Sequence, residues 1–301
     1  MSNNSWRARA ELGNRFFINL LVVMTNLLPR PLLSAALWFI AGYYLLSNHS
    51  ARAAALHYWS LLQPPAHWFS VWRHFYTFAR VSVDRLIMLK KGFAGFDIQF
   101  AAEIDFNQLH ELNKGAVFLV NHIGNFDVLR HAAKSRGLPR IKIVLDTRQN
   151  PQFLRLLTEH NPDIAEDIID VADGGYALAL KLAETVAQGC WIGIMADRIQ
   201  AQEATTSVIF IGQRAQVPMT PWQIVSILGV PVYGCFGVFC GGNRYRIYLR
   251  KIADTLAAAR KERQAILHLN VHRYFLEVEN ILRLHPYNWF NFYEFWSNDG
   301  N

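Results

Sequence analysis

The 301-residue chain is long enough to bury one sizeable core and lies near the upper end of what a single domain holds. Its charged fraction is 18% against 52% hydrophobic and 13% aromatic, below the usual quarter for a soluble domain, and this composition favours contact with lipid. The formal charge of +7 favours anionic surroundings: nucleic acid, an anionic leaflet or an acidic carrier protein. Without GxxxxGKS/T, GxGxxG or HExxH, nucleotide hydrolysis and zinc proteolysis have no support, and no cofactor is expected. Cys190, Cys235 and Cys240 lie in apolar runs without a CxxC pair, which argues against a zinc site or a disulfide framework and suits reduced packing residues.

Arg7, Arg9 and Arg15 precede an uncharged run from Phe16 to Leu28, Pro29-Arg30-Pro31 interrupts, and the apolar run resumes from Leu32 to Leu46. Each piece is shorter than the roughly 20 residues of a spanning helix, and the prolines should break or bend the helix between them. Residues 1–48 are therefore expected to be a membrane-anchoring helical segment, lying in or dipping into the bilayer interface. A pair of ordinary buried helices is the competing reading, and a signal peptide fits poorly because no small-residue cleavage site follows. Ser50 to Leu89 reads as helical, with Trp59, Trp68, Phe69, Trp72, Phe75, Tyr76 and Phe78 among Arg73, His74, Arg80 and Arg85. That mixture suits a headgroup-level surface, or equally an amphipathic helix with an aromatic core face.

After Lys90-Lys91-Gly92 short apolar runs alternate with helical segments. Strands are expected at Phe96 to Phe100, Ala116 to Asn121, Ile141 to Leu145, Trp191 to Met195, Ser207 to Ile211, Val230 to Phe239 and Arg244 to Leu249. Helices are expected at Phe126 to Arg136, Pro151 to Glu159, Tyr176 to Gln188, Pro221 to Leu228 and near Thr255 to Leu284, and Gly241-Gly242-Asn243 reads as a hairpin turn. The alternation implies an α/β fold: a mixed, largely parallel sheet flanked by helices. A main domain over 49–301 would then comprise a helical lead-in, 49–91, and an α/β core, 92–301.

Ligands of such sheets gather at the carboxyl ends of strands, where Val120-Asn121-His122-Ile123-Gly124-Asn125-Phe126-Asp127 turns from strand to helix. A neutral histidine can take a proton from a hydroxyl if something holds its tautomer, and Asp127 could do that. Neither serine nor cysteine stands in the turn to act as nucleophile, so direct attack by a substrate hydroxyl is the natural chemistry. Gly124 allows a tight turn, Asn125 can cap the helix, and the helix N-terminus would favour a developing oxyanion. Taken by itself, a histidine in a turn reads more simply as a local hydrogen-bonding group.

Asn121 to Asp127 resembles the histidine, four residues, acid motif of the lysophospholipid acyltransferase superfamily, and looks most like the lipid A late acyltransferase branch. Arg148-Gln149-Asn150-Pro151, Met195-Ala196-Asp197-Arg198, Phe210-Ile211-Gly212, Gly229-Val230-Pro231-Val232 and His285 to Phe292 are similar, in order, to later segments of that branch. Asp127 stands where glutamate is more usual, Asp197-Arg198 where Asp-Gln is, and Tyr293 to Trp296 lacks the charged closing residues; the chain resembles a divergent subgroup of predicted acyltransferases.

The resemblance implies His122 as general base with Asp127 as its partner, and direct transfer from an acyl carrier protein or coenzyme A thioester to a hydroxyl of a membrane lipid or glycolipid such as a lipid A-type precursor. It further implies a site on the cytoplasmic face of a bacterial inner membrane. Gly124, Asn125, Arg148, Asp197, Arg198 and Gly212 are the candidate substrate-binding residues. Arg130, Lys134, Arg136, Arg140 and Lys142 form a basic run that could dock an acidic carrier, or simply a solvated face. A lysophospholipid or glycerolipid acceptor and a noncatalytic lipid-binding protein are the alternatives; a nucleic-acid partner is not expected, since no binding motif appears.

Overall fold

Five consecutive buried residues, Ala116–Val120, can only be a strand covered on both faces, and they stand at the centre of the molecule. The structure is a computed structural model that describes residues 29–102, 115–148, 166–171, 174–200 and 203–296; the expected helix at Pro151 to Glu159 and the run Phe16 to Leu28 lie outside these.

Among the described residues nine strands follow in chain order: β1 Asp97–Phe100, β2 Ala116–Val120, β3 Ile141–Leu145, β4 Ile168–Asp170, β5 Trp191–Met195, β6 Thr205–Phe210, β7 Gln213–Pro218, β8 Val232–Phe239 and β9 Arg244–Ala253. Seven of them form one sheet in the order β1-β9-β8-β2-β5-β3-β4, and β6 with β7 makes a separate hairpin. Every neighbouring pair in the large sheet is parallel except β8 with β9, which are joined by the expected glycine turn. The α/β architecture and the largely parallel, mixed sheet agree with the sequence pattern.

The described helices are α1 Arg30–Ser47, α2 His49–Leu62, α3 Trp68–Lys91, α4 Asp127–Ser135, α5 Gly175–Ala187, α6 Thr220–Leu228 and α7 Arg260–Leu284. The stretch from Ser50 to Leu89 is largely helical, as its pattern indicates. It is split into α2 and α3 around Pro64-Pro65, where a proline lacks the amide a continuing helix needs. Pro29 stands at the N-cap of α1.

Alternation along β2 divides the core between two faces. Val117 and Leu119 pack with Leu178 and Leu182 of α5, Val225 of α6 and Val271 of α7. Ala116, Phe118 and Val120 pack with Val128 and Leu129 of α4 and with Val81 and Met88 of α3. Helix α1 lies on α3 through Leu33, Leu37 and Val83. Its opposite face is apolar as well, and Leu32, Phe39, Tyr43 and Leu46 are exposed, Phe39 by 81%. Among the described residues no helix is long and apolar enough to cross a membrane.

Candidate active site at the carboxyl edge of the sheet

Strands β2 and β5 are parallel neighbours, with Val120 opposite Met195. Continuing that register two residues past the strand ends brings His122 opposite Asp197. The Asp197 carboxylate accepts His122 Nδ1–H at 2.9 Å through Oδ1 and the His122 backbone N–H at 3.0 Å through Oδ2. A carboxylate at Nδ1 can only accept, so the neutral ring carries its proton there and turns a lone pair outward on Nε2. Nε2 makes no hydrogen bond among the described residues, and the side chain is 28% exposed.

Burial, and then the charges of Arg198 and Arg85, hold the imidazole below its ordinary pKa against the upward pull of Asp197. His122 is thus neutral at pH 7. Burial would raise the pKa of Asp197, but the His122 charge, its two hydrogen bonds and Arg198 outweigh that and pull it down to about 2. The arrangement is a neutral base backed by a permanent carboxylate.

Asp127, the residue expected to face His122, is the first residue of α4, and its carboxylate accepts Arg85 Nε of α3 at 3.1 Å. The reason is local: α4 begins at Asp127 with Phe126, not Asn125, at its N-cap, the Asn125 side chain accepts the Asp127 backbone N–H at 3.0 Å from just ahead of the cap, and the Asp127 carboxylate goes to Arg85 of α3.

The turn itself is built from backbone contacts. Gly124 has φ +59, and a Cβ there would stand 2.0 Å from the carbonyl oxygen of Gly237. A Cβ at Gly237 would stand equally close to the Asn125 carbonyl oxygen, so only this glycine pair lets the turn touch β8. Asn121 accepts the Ile123 N–H at 3.1 Å and donates to Tyr274 Oη of α7 at 3.2 Å. Phe126 lays its ring across β5, where a Cβ at Gly193 would meet ring atom Cζ at 2.8 Å.

A segment from the far end of the chain closes the site. Gly124 N–H donates to the Asn288 carbonyl at 2.9 Å, and Phe290 N–H donates to the His122 carbonyl at 2.8 Å. His74 of α3 donates from Nε2 to the Trp289 carbonyl at 2.6 Å, and Tyr58 of α2 to the Pro286 carbonyl at 2.8 Å. Arg198 donates to Asn291 Oδ1 at 2.8 Å and to the Phe290 carbonyl at 3.0 Å, while Asn291 Nδ2 donates to Asp197 Oδ2 at 2.9 Å.

The other expected residues separate. Asn125 is buried and donates to Met88 Sδ at 3.3 Å, so it supports the turn rather than facing a ligand. Arg198 holds the closing segment. Arg148 is exposed and folds back on Asp146 at 2.9 Å. Gly212 lies in the turn of the β6 and β7 hairpin, beside Ile211 at φ 49, whose N–H donates to Glu279 of α7 at 2.9 Å. In the basic run Arg130 faces Asp167 at 3.7 Å, and Arg140 is paired with Asp167 and Glu166. Lys134 and Arg136 are exposed, and Lys142 is half-buried.

From the sequence, His74 and Arg85 stand out only as members of a mixed aromatic and basic helical surface, and Asn288 and Asn291 only within the closing segment. The closing segment was visible as a block, but its contact with a turn so distant in the chain has no local signal. No protein-family model matches this chain, and no curated protein matches it either.

Proposed function

We propose that this chain is an acyltransferase that moves a fatty or related acyl group from an acyl thioester, carried by acyl carrier protein or coenzyme A, to a hydroxyl of a membrane lipid or glycolipid. The observation that carries the reading is His122, with Nδ1–H held by Asp197 and Nε2 open at the carboxyl edge of a parallel sheet. Nε2 takes the proton of the acceptor hydroxyl while the oxygen attacks the thioester carbonyl. The tetrahedral adduct then expels the thiolate, which recovers that proton from the imidazolium as the ester forms. Asp197 stabilises the imidazolium between the two steps. Asp127 acts through Arg85, whose charge helps keep the resting ring neutral.

The bilayer supplies the acceptor. Helix α1 is apolar on both faces, and its outer face continues into Trp68 and Phe69 at the start of α3, with Arg52 over the Trp68 ring at 5.6 Å. Aromatic rings beside a guanidinium suit the headgroup boundary, and the chain rests there through this face. Lys134 and Arg136, exposed on the basic run, are the docking candidates for an acidic carrier.

Purified His122→Ala should fold as the parent by circular dichroism and lose about 10³-fold in transfer from an acyl thioester to an extracted lipid acceptor. Turnover at the parent rate would overturn the mechanism. Phe39→Ser with Leu46→Ser should lower the fraction that floats with anionic vesicles by about tenfold, from the apolar area withdrawn from lipid. Unchanged flotation would remove this face as the membrane contact.

A further inference from the structure

We propose that Asn291 is a positioning residue that stands between Asp197 and Arg198 and reserves the Asp197 carboxylate for His122. The two charged residues are consecutive in the chain, follow the same strand and have opposite sign, and Arg198 is near enough to act on the Asp197 charge, so a direct ion pair is the arrangement to test for. It does not form. The Asn291 carboxamide is inserted instead, its Nδ2–H on Asp197 Oδ2 at 2.9 Å and its Oδ1 accepting Arg198 Nε at 2.8 Å.

A primary amide is the side chain for this place, because it offers a donor to the carboxylate and an acceptor to the guanidinium. The charges on either side fix which end points where. Asn291 is 3% exposed, so neither end has water to fall back on. The Phe290 carbonyl takes a second Arg198 nitrogen at 3.0 Å and completes the outward turn of that guanidinium.

The groups that set the His122 proton come from four elements around it. Asp197 and Arg198 follow β5, Arg85 comes from α3 with Asp127 of α4 as its counter-ion, Tyr274 of α7 meets Asn121, and Tyr293 lies under Arg198 at 5.7 Å. Asn291 is the uncharged member that arranges the two nearest. Substituting it therefore moves His122 in a direction that depends on the substitution. Asn291→Asp adds a negative charge beside Asp197 and favours the imidazolium. Asn291→Leu frees Arg198 to pair with Asp197 and disfavours it.

The test is an NMR pH titration of the His122 ring in the full chain, its resonance assigned by its loss in His122→Ala. Relative to the parent, the midpoint should rise by about one unit in Asn291→Asp and fall by about half a unit in Asn291→Leu, while Asn291→Gln should stay near the parent. Midpoints that move the same way in both variants, or by less than about 0.2 unit in each, would overturn the proposal. If Asn291→Leu does not fold, an unshifted Asn291→Asp alone overturns it. The catalytic consequence rests on the acyl-transfer reading: the acid limb of kcat/KM should follow the same shifts. The titration needs no substrate, so shifted midpoints without transferase activity would support this inference and overturn that reading.

Discussion

Two carboxylates in this molecule are equally hidden and both sit beside arginine, yet they go opposite ways. Asp197 at the carboxyl edge of the sheet is 2% exposed and Asp84, where α3 meets the β8 and β9 hairpin, is 0% exposed. Burial raises both, but Asp197 ends at about 2 and Asp84 stays above the ordinary carboxylate value. The difference is in close donors. Asp197 has His122 Nδ1–H, the His122 backbone N–H and Asn291 Nδ2–H within 3.0 Å. Among the described residues Asp84 has one hydrogen bond, from Tyr245 Oη at 2.9 Å; its Oδ1 accepts none there, and Arg30 and Arg80 stand off at 3.7 and 3.8 Å. Arginine nearby is not enough. Directed hydrogen bonds decide whether a buried carboxylate keeps its charge.

Replacing the charge in each place should separate a catalytic carboxylate from a structural one. Asp197→Asn leaves Nδ1 without its anionic acceptor, and should lower kcat by about 10³-fold with a circular dichroism spectrum like the parent. Asp84→Asn should leave kcat at the parent level and cost about 3 kcal/mol in urea unfolding, because Arg80 loses its buried counter-charge. Equal losses of rate in the two variants would erase the distinction.

A buried histidine extends the comparison to a group with a single partner. His74 donates to the Trp289 carbonyl, but its Nδ1 has no partner among the described residues, and burial lowers its pKa to about 4 against the pull of that bond. In the unfolded chain it titrates near 6.5, so the unfolded state holds more protons between those values. Stability from this group is complete above about pH 6.5 and is lost as pH falls toward 4, by up to about 3 kcal/mol. His74→Gln should flatten that part of the curve in unfolding measured from pH 7 to 4. A variant as acid-sensitive as the parent would assign the loss elsewhere.

Most of the sheet was legible because its strands are short apolar runs bounded by turns. Ile141–Leu145 and Trp191–Met195 have the expected bounds. Strand β4 is too short to give a period, and β7, Gln213–Pro218, is polar at its start and held by its hairpin rather than by apolar alternation. Ile211 was assigned to a strand but occupies the turn, where a left-handed conformation is contrary to the habits of a branched side chain. At the site, His122 was readable from a strand ending in a polar turn, whereas its pairing with Asp197 depends on β5 lying beside β2 although β3 and β4 intervene in the chain. Asp127 was the nearer carboxylate in sequence. Nearness along the chain is a poor guide where a new helix starts between the two residues.

The contact between the His122 turn and the segment around Phe290 also orders events in time. Synthesis runs from the N-terminus at about 5–20 residues per second, so His122 precedes its last supports by roughly 10 to 30 s. Until residues 288–291 emerge, the His122 carbonyl lacks Phe290 N–H, Gly124 N–H lacks the Asn288 carbonyl, and Asp197 lacks Asn291. A nascent chain can therefore assemble its sheet while its base is still unclamped, and competence at His122 comes as a late step of biogenesis.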